Sequence, residues 1–359
     1  MLLFETKEQP LVIAGPCSAE TREQVLQTAA ALSQLPVKIF RAGIWKPRTK
    51  PGNFEGIGEE GLKWLQEVKR TYQFPVAIEV AQPQHIELAL KYGIDAIWIG
   101  ARTVVNPFQV QELASCLKGV QLPVMVKNPV TPDIDLWEGA IQRFEKMGLS
   151  QVAAIHRGFS SYNASSTYRN HPNWIIPIEL KRRRPDLFII SDPSHITGKA
   201  SLVKEAAQKA MNIGFNGLMI ETHPHPKQAW SDAAQQITPN ELQDLLASLI
   251  IRKQSTQDVL KSSELEYLRQ LMDGIDAEII DLLSRRMELS DRIGALKKDC
   301  NMTAFQPERW NEMLESLRER GAKQYLNKQF IATLFEQIHD ESIRRQTEVM
   351  KLIDNPTKP

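Results

Sequence analysis

Eight short apolar runs punctuate the first 225 residues: Leu11–Ala14, Val37–Phe40, Val76–Ile78, Ala96–Ile99, Val124–Val126, Val152–Ile155, Leu187–Ile190 and Leu218–Ile220. Behind them come Cys17, Arg41, Glu79, Arg102, Lys127, Arg157, Asp192 with His195, and Glu221. The runs are too apolar to alternate, as expected of strands buried on both faces. Between them lie amphipathic stretches such as Ser18–Leu35, Glu59–Tyr72, Asp133–Met147 and Lys199–Ile213, with Ser18 expected to cap the first helix and Gly148 to stop a later one. Strand–helix alternation of this kind predicts the α/β class and a closed (β/α)8 barrel. Such a barrel delivers the last side chain of every strand to one rim. An open doubly wound sheet is the competing architecture, but neither GxGxxG nor a P-loop follows the first run.

The pattern changes after Leu249. We expect a first domain over 1–252, a polar, Ser-rich linker over 253–263 and a helical domain over 264–359. From Glu264 onward no strand signal remains. Leu265, Leu268, Met272, Ile275, Ile279, Leu282, Leu289, Ile293 and Leu296 keep a three-four spacing, which predicts one long helix. Pro307 opens a second helix expected to stop near Gly321, and a third is expected over 327–351. A long amphipathic helix with two shorter ones leaves part of its stripe uncovered, so a homodimer through the helical domain is expected.

Charge narrows the function classes. Lys+Arg 44 against Asp+Glu 43 gives a net charge of +1, so no global field favours nucleic acid or an anionic membrane. No apolar run is long enough to span a bilayer, and the start lacks a basic n-region followed by an apolar stretch. Three widely spaced cysteines, Cys17, Cys116 and Cys300, argue for a reducing cytoplasm over a disulfide framework.

The rim residues carry the chemistry. Cys17, His195, Glu221 and Asp232 all fall at or just beyond expected strand ends, and together suit a borderline divalent metal. His223 and His225 compete with them as ligands. Arg41, Lys46, Arg48, Arg102, Lys127 and Arg157 cluster at the same end, where their mutual repulsion calls for a polyanion carrying phosphate and carboxylate. Glu79 either orients these cations or serves as their counter-ion.

The segments AGPCS, FRAGIWKPRT, IGAR, PVMVKN, HRGFSSY, SDPSHITGK and GLMIETHPHP with SDAAQQ resemble, in order, the signatures of the 3-deoxy-D-arabino-heptulosonate 7-phosphate (DAHP) synthase family, in its compact type I-beta branch. The resemblance runs from about residue 11 to 240. It implies Cys17, His195, Glu221 and Asp232 as ligands of a divalent ion, with Mn2+ expected. It implies Arg41, Lys46, Arg102, Lys127 and Arg157 around phosphoenolpyruvate, with Glu79 supporting, and Arg48 and Thr49 on the phosphate of erythrose 4-phosphate. Lys46 is the expected proton donor or acceptor. The sister family, 3-deoxy-octulosonate 8-phosphate synthase, shares the barrel; the Lys46-Pro47-Arg48-Thr49 motif favours the four-carbon sugar. Many relatives carry an N-terminal regulatory domain, whereas the first run here begins at Leu11, so feedback control is expected to work by another route.

In the helical domain, Arg286 interrupts the apolar stripe, and Arg269, Lys297, Ser342 and Gln346 point polar groups into the same interior. LRQLMDGIDAEIIDLLSRRMELSDRIGALK and SIRRQ resemble the helical chorismate mutase family over roughly 264–350. The resemblance implies Arg286, with Arg269 from a partner chain, on the two carboxylates of chorismate. It implies Lys297 and Gln346 on the ether oxygen, and Arg309 as the second-helix arginine. Gln306 and Trp310 stand where the family usually has acids, which weakens recognition of the substrate hydroxyl. Two other readings are kept: a non-catalytic dimerisation or regulatory tail behind an active barrel, and the eight-carbon reaction in the barrel. Fusion of the two domains also makes prephenate an expected inhibitor of the synthase.

Overall fold

The computed structural model describes residues 2–5, 9–46, 52, 54–160, 167–252 and 259–352. The chain divides into two compact units, Met1–Gln254 and Ser255–Pro359.

In the first unit eight parallel strands close into a barrel in sequence order: β1 (Leu11–Gly15), β2 (Ile39–Arg41), β3 (Val76–Val80), β4 (Ala96–Ile99), β5 (Val124–Lys127), β6 (Val152–His156), β7 (Phe188–Ser191) and β8 (Gly217–Glu221). β8 returns to β1 with Ala14 opposite Ile220 and Gly15 opposite Glu221. The period-2 alternation of a strand sorts the side chains. Ile13, Ile39, Ala77, Trp98, Met125, Ile155, Ile190 and Met219 fill the barrel interior. Their neighbours Val12, Phe40, Ile78, Ile97, Val126, Ala154, Ile189 and Ile220 pack outward against the helices. The same parity continued to the strand ends aims Arg41, Glu79, Lys127 and Glu221 inward, above Trp98. It aims His156 outward, into a cluster with Phe159, Trp174 and Phe215.

Helices follow where the pattern places them, with one correction at an N-terminus. The first helix is Arg22–Leu32, and its N-cap is Thr21, whose hydroxyl accepts from the Gln24 N–H. Ser18, expected in that role, hydrogen-bonds Ser231 Oγ at 2.6 Å and so ties the loop after β1 to the segment after β8. Asp133 caps Ile134–Lys146, and Gly148 stands just past its end.

Among the described residues the second unit holds three helices: Val259–Asp299, Pro307–Lys323 and Lys328–Leu352. The first already runs through 259–263, part of the stretch expected as a linker; residues 253–258 lie outside the described residues. The second helix ends at Lys323, two residues past Gly321 and near the expected stop. A Cβ at Gly321 would lie 2.6 Å from Ile331 Cγ1, so glycine is required by close helix packing. Gly294 does the same between the long helix and the third, where a Cβ would meet Gln346 Cα at 2.9 Å. The apolar stripe from Leu265 to Leu296 is not covered within one chain: its nine members are 46–64% exposed.

Candidate active sites

At the carboxyl end of the barrel, Cys17 Sγ lies 3.4 Å from Asp232 Oδ2 and 3.1 Å from Lys46 Nζ. Ligand atoms of Cys17, Glu221 and Asp232 all fall within 4.8 Å of one another. Asp232 is held there in a left-handed backbone conformation (φ 48°), with Arg169 Nη1 donating to Oδ1 at 2.9 Å. His195 stands beside this trio. Its Nδ1 pairs with Asp192 at 2.8 Å, and its Nε2 is 3.7 Å from Glu221 Oε1. Burial lowers the His195 pKa, favouring the neutral ring. With the Nδ1 proton committed to Asp192, the bare Nε2 lone pair faces a Glu221 oxygen that makes no hydrogen bond. The same Glu221 oxygen is paired with Arg41 Nη2 at 3.2 Å, and a divalent ion would engage both it and the imidazole lone pair.

The Cys17 thiol tells the same story. It is fully buried, and burial first, then the charge of Glu221 and of Asp232, push its pKa up to about 12 against the pull of Lys46 and Arg41. A divalent ion would reverse that field and favour the thiolate. The fold gathers the thiol and the two carboxylates, with the His195 imidazole beside them, and that donor set fits a borderline divalent ion. His223 is engaged elsewhere: its Nδ1 accepts from the His225 N–H at 2.9 Å, and its Nε2 lies 3.6 Å from Glu20, while His225 is exposed.

The cations line the adjacent ceiling. Arg41 is 1% exposed, forms an ion pair with Glu221 at 3.2 Å, and leaves Nε and Nη1 without hydrogen-bond partners. Orphaned buried guanidinium donors mark a place for an anion. Lys127 Nζ binds Asp192 at 2.9 Å, so Asp192 links a cation to His195. Arg157 donates to Asn170 Oδ1 at 2.8 Å, and burial lowers its pKa to about 10, with Arg169 and Arg102 pushing the same way against Asp192. It remains charged at neutral pH. Arg102 is the second residue of the short helix Ala101–Val104 and is exposed. Arg48 and Thr49 lie outside the described residues.

Trp98, Arg169 and Gln235 were not among the candidate site residues in the sequence. Trp98, read there as strand core, is the platform: Arg41 Cζ lies 4.8 Å and Lys127 Nζ 5.9 Å from its ring, a cation–π arrangement. Glu79 fixes that platform by accepting from Trp98 Nε1 at 2.8 Å. It therefore acts on the cations through the indole. Arg169 and Gln235 brace Asp232 and Glu221, the latter through Gln235 Nε2 to Glu221 Oε2 at 2.7 Å. Strand parity identifies Trp98 as inward-facing, whereas Arg169 and Gln235 sit on loops whose approach only the closed barrel creates.

In the helical unit the structure joins four of the expected residues into one network. Arg286 Nη1 donates to Ser342 Oγ, which itself donates to Ile338 O at 2.8 Å. Lys297 Nζ donates to Gln346 Oε1 at 3.1 Å, and Gln346 Nε2 to Ser290 Oγ at 3.1 Å. Arg269 lies seventeen residues before Arg286 on the same helix, about 25 Å along its axis. It pairs only loosely with Glu266 at 3.6 Å and is 63% exposed, so one chain does not bring it to the network. Arg309 is likewise exposed, 3.9 Å from Glu312.

Comparison with known proteins agrees with both units. Residues 4–260 match the family model of the DAHP synthetase I family. The chain belongs to that family. Residues 268–347 match the chorismate mutase type II model, giving the DAHP synthetase I barrel a helical mutase-type domain behind it. A phospho-2-dehydro-3-deoxyheptonate aldolase of Thermotoga maritima is 33% identical over 226 residues, which is 63% of this chain and 64% of that protein. A 2-dehydro-3-deoxyphosphooctonate aldolase of Dechloromonas aromatica is 26% identical over 269 residues, covering 68% of this chain and 91% of that one. The crystal structure of the Thermotoga maritima DAHP synthase superposes with a TM-score of 0.61 at 31% identity, covering 67% of this chain and 68% of that one. The chain thus spans just under two thirds of the length of the Thermotoga relative. Among the described residues no helix is long and apolar enough to cross a membrane.

Proposed function

We propose that the barrel condenses phosphoenolpyruvate with erythrose 4-phosphate to DAHP and phosphate, and that the helical unit rearranges chorismate to prephenate. The observation that carries the first half is the meeting of Cys17, Glu221 and Asp232 within 4.8 Å, beside an Arg41 with two unpartnered donors. Cys17, His195, Glu221 and Asp232 would hold a divalent ion, Mn2+ on the family's pattern, and that ion would supply Lewis acidity toward the aldehyde oxygen.

The chain's own residues do the rest. Arg41, Lys127, Arg102 and Arg157 bind the phosphate and carboxylate of phosphoenolpyruvate, and Trp98 with Asp192 keeps Arg41 and Lys127 aligned. Arg48 and Thr49 are proposed for the phosphate of the four-carbon sugar. C3 of the enol then bonds to the aldehyde carbon. Water adds at C2, and phosphate leaves by cleavage of the C2–O bond. Lys46, whose ammonium sits at the Cys17 thiol, is placed to donate a proton to the new alkoxide.

The rearrangement in the helical unit is pericyclic and requires no acid, base or nucleophile. Arg286 grips a carboxylate, Ser342 orients Arg286, and Lys297 with Gln346 meets the ether oxygen where charge builds. Arg269 is supplied by a second copy, for which the exposed stripe of the long helix provides the seam. Prephenate held in the helical unit is proposed to slow the condensation. Two assays on the full chain test this reading: erythrose 4-phosphate against arabinose 5-phosphate in the condensation, and prephenate formation with Arg286→Ala as control. Preference for arabinose 5-phosphate overturns the first assignment, an unaffected Arg286→Ala rate the second, and a condensation rate unchanged by saturating prephenate the third.

A further inference from the structure

The helical unit lacks the acidic groups expected near the substrate hydroxyl: Gln306 and Trp310 occupy those places. The structure puts something else there. Trp310 packs its ring against His339 on the third helix, with centroids 3.9 Å apart and planes tilted by 31°. The Phe305 ring meets the same imidazole edge-to-face, with centroids 5.8 Å apart. His339, Ser342 and Gln346 are spaced i, i+3 and i+7, which places them on one face of that helix. The two latter residues hold Arg286 and Lys297.

The imidazole therefore shares a face with the two cations assigned to chorismate. Among the described residues no hydrogen bond engages its ring nitrogens. The charged groups acting on it are Arg286 and Lys297 from the long helix and Asp340 beside it. Burial first, then the two cations, lower its pKa against Asp340, so it is neutral near pH 7. A neutral imidazole has one N–H donor and one lone pair, the complement of an alcohol.

We propose that His339, braced by Trp310, is the residue of this chain that recognises the hydroxyl of the bound dicarboxylate, in place of the missing acids. The Trp310 and His339 identities are then one paired device. Trp310 replaces a charged group by a flat surface, and that surface holds the imidazole in place. This rests on the mutase reading above.

The test uses the full chain, with chorismate and its analogue lacking the ring hydroxyl as substrates. The wild type should favour chorismate by about ten- to hundred-fold in kcat/KM, the range expected for one hydrogen bond made in a partly buried site. His339→Phe keeps an aromatic partner for Trp310 and removes the hydrogen bond. It should lose that factor on chorismate and leave the analogue's rate within about twofold. His339→Gln, which keeps a donor and an acceptor, should recover part of the discrimination. Thermal melts and near-ultraviolet circular dichroism establish that the variants fold, and Trp310→Ala should erode the discrimination by releasing the ring. If His339→Phe turns over chorismate as fast as wild type, or still favours it over the analogue by the wild-type factor, this inference falls and the mutase reading stands. A wild-type chain that forms no prephenate overturns both.

Discussion

Trp98→Phe asks whether the barrel's cations work as a supported array. The indole is fully buried beneath Arg41 and Lys127, and its Nε1 donates to Glu79. Phenylalanine keeps a flat apolar ring but deletes the donor, leaving a Glu79 oxygen short of a partner at about 1–3 kcal/mol. It also weakens the two cation contacts, each worth about 0.5–1 kcal/mol. If roughly 2–3 kcal/mol of this appears in binding, phosphoenolpyruvate affinity drops between one and two orders of magnitude, since about 1.4 kcal/mol is tenfold. Calorimetric titration of the full chain with phosphoenolpyruvate at fixed ionic strength measures it, and prephenate formation by the helical unit reports that the chain is folded. A dissociation constant within about threefold of wild type, with an unchanged melting curve, would refute the platform role.

Other perturbations follow from the same geometry. Cys17→Ala should abolish metal-dependent condensation while leaving the melting curve within a few degrees; full activity after strict chelation contradicts the ligand assignment. Gly294→Ala drives a methyl toward Gln346 Cα, so it should destabilise the helical unit by about 1–3 kcal/mol in denaturant melts and disturb the Lys297–Gln346 contact. An unchanged midpoint there would mean the helices have room. His156 is buried, with Nε2 against Pro172 O at 2.6 Å and Nδ1 unpartnered, and burial lowers its pKa to about 4. A depressed folded pKa means that the unfolded chain takes up the proton first. This contribution is therefore complete above pH 6.5 and is lost as the pH falls toward 4, on the order of 3 kcal/mol in total. His156→Gln should flatten that slope in denaturant melts at pH 7 and 4.5, and an equal slope in both proteins removes His156 as its source.

The strand pattern carried most of the fold because parallel barrel strands are apolar on both faces and their ends are abrupt. Boundaries were less legible where a local rule had a tertiary competitor. Ser18 looks like a cap but bonds Ser231, and the second helix runs two residues past Gly321, whose missing Cβ admits Ile331. At the site, each candidate ligand could be read singly, since Cys17, Glu221 and Asp232 each follow a recognisable segment. Their mutual approach comes from β8 closing onto β1, which no local signal encodes. The bracing contacts were invisible for the same reason: Arg169 meets Asp232 across 63 positions, and Asp192, itself legible behind its strand, meets Lys127 across 65. In the helical unit, Arg286, Lys297, Ser342 and Gln346 were legible from helical spacing. Arg269 remains about 25 Å from Arg286 because that distance is fixed by the helix itself.

Titration of the chain with cobalt(II), a spectroscopically visible divalent ion, would probe the condensation site most directly. One equivalent should produce a thiolate-to-cobalt charge-transfer band in the wild type. Cys17→Ser should lose it, although the exposed Cys116 and Cys300 remain. A band that survives in Cys17→Ser, or a wild type that binds cobalt without one, would contradict a shared ion at the mouth of the barrel.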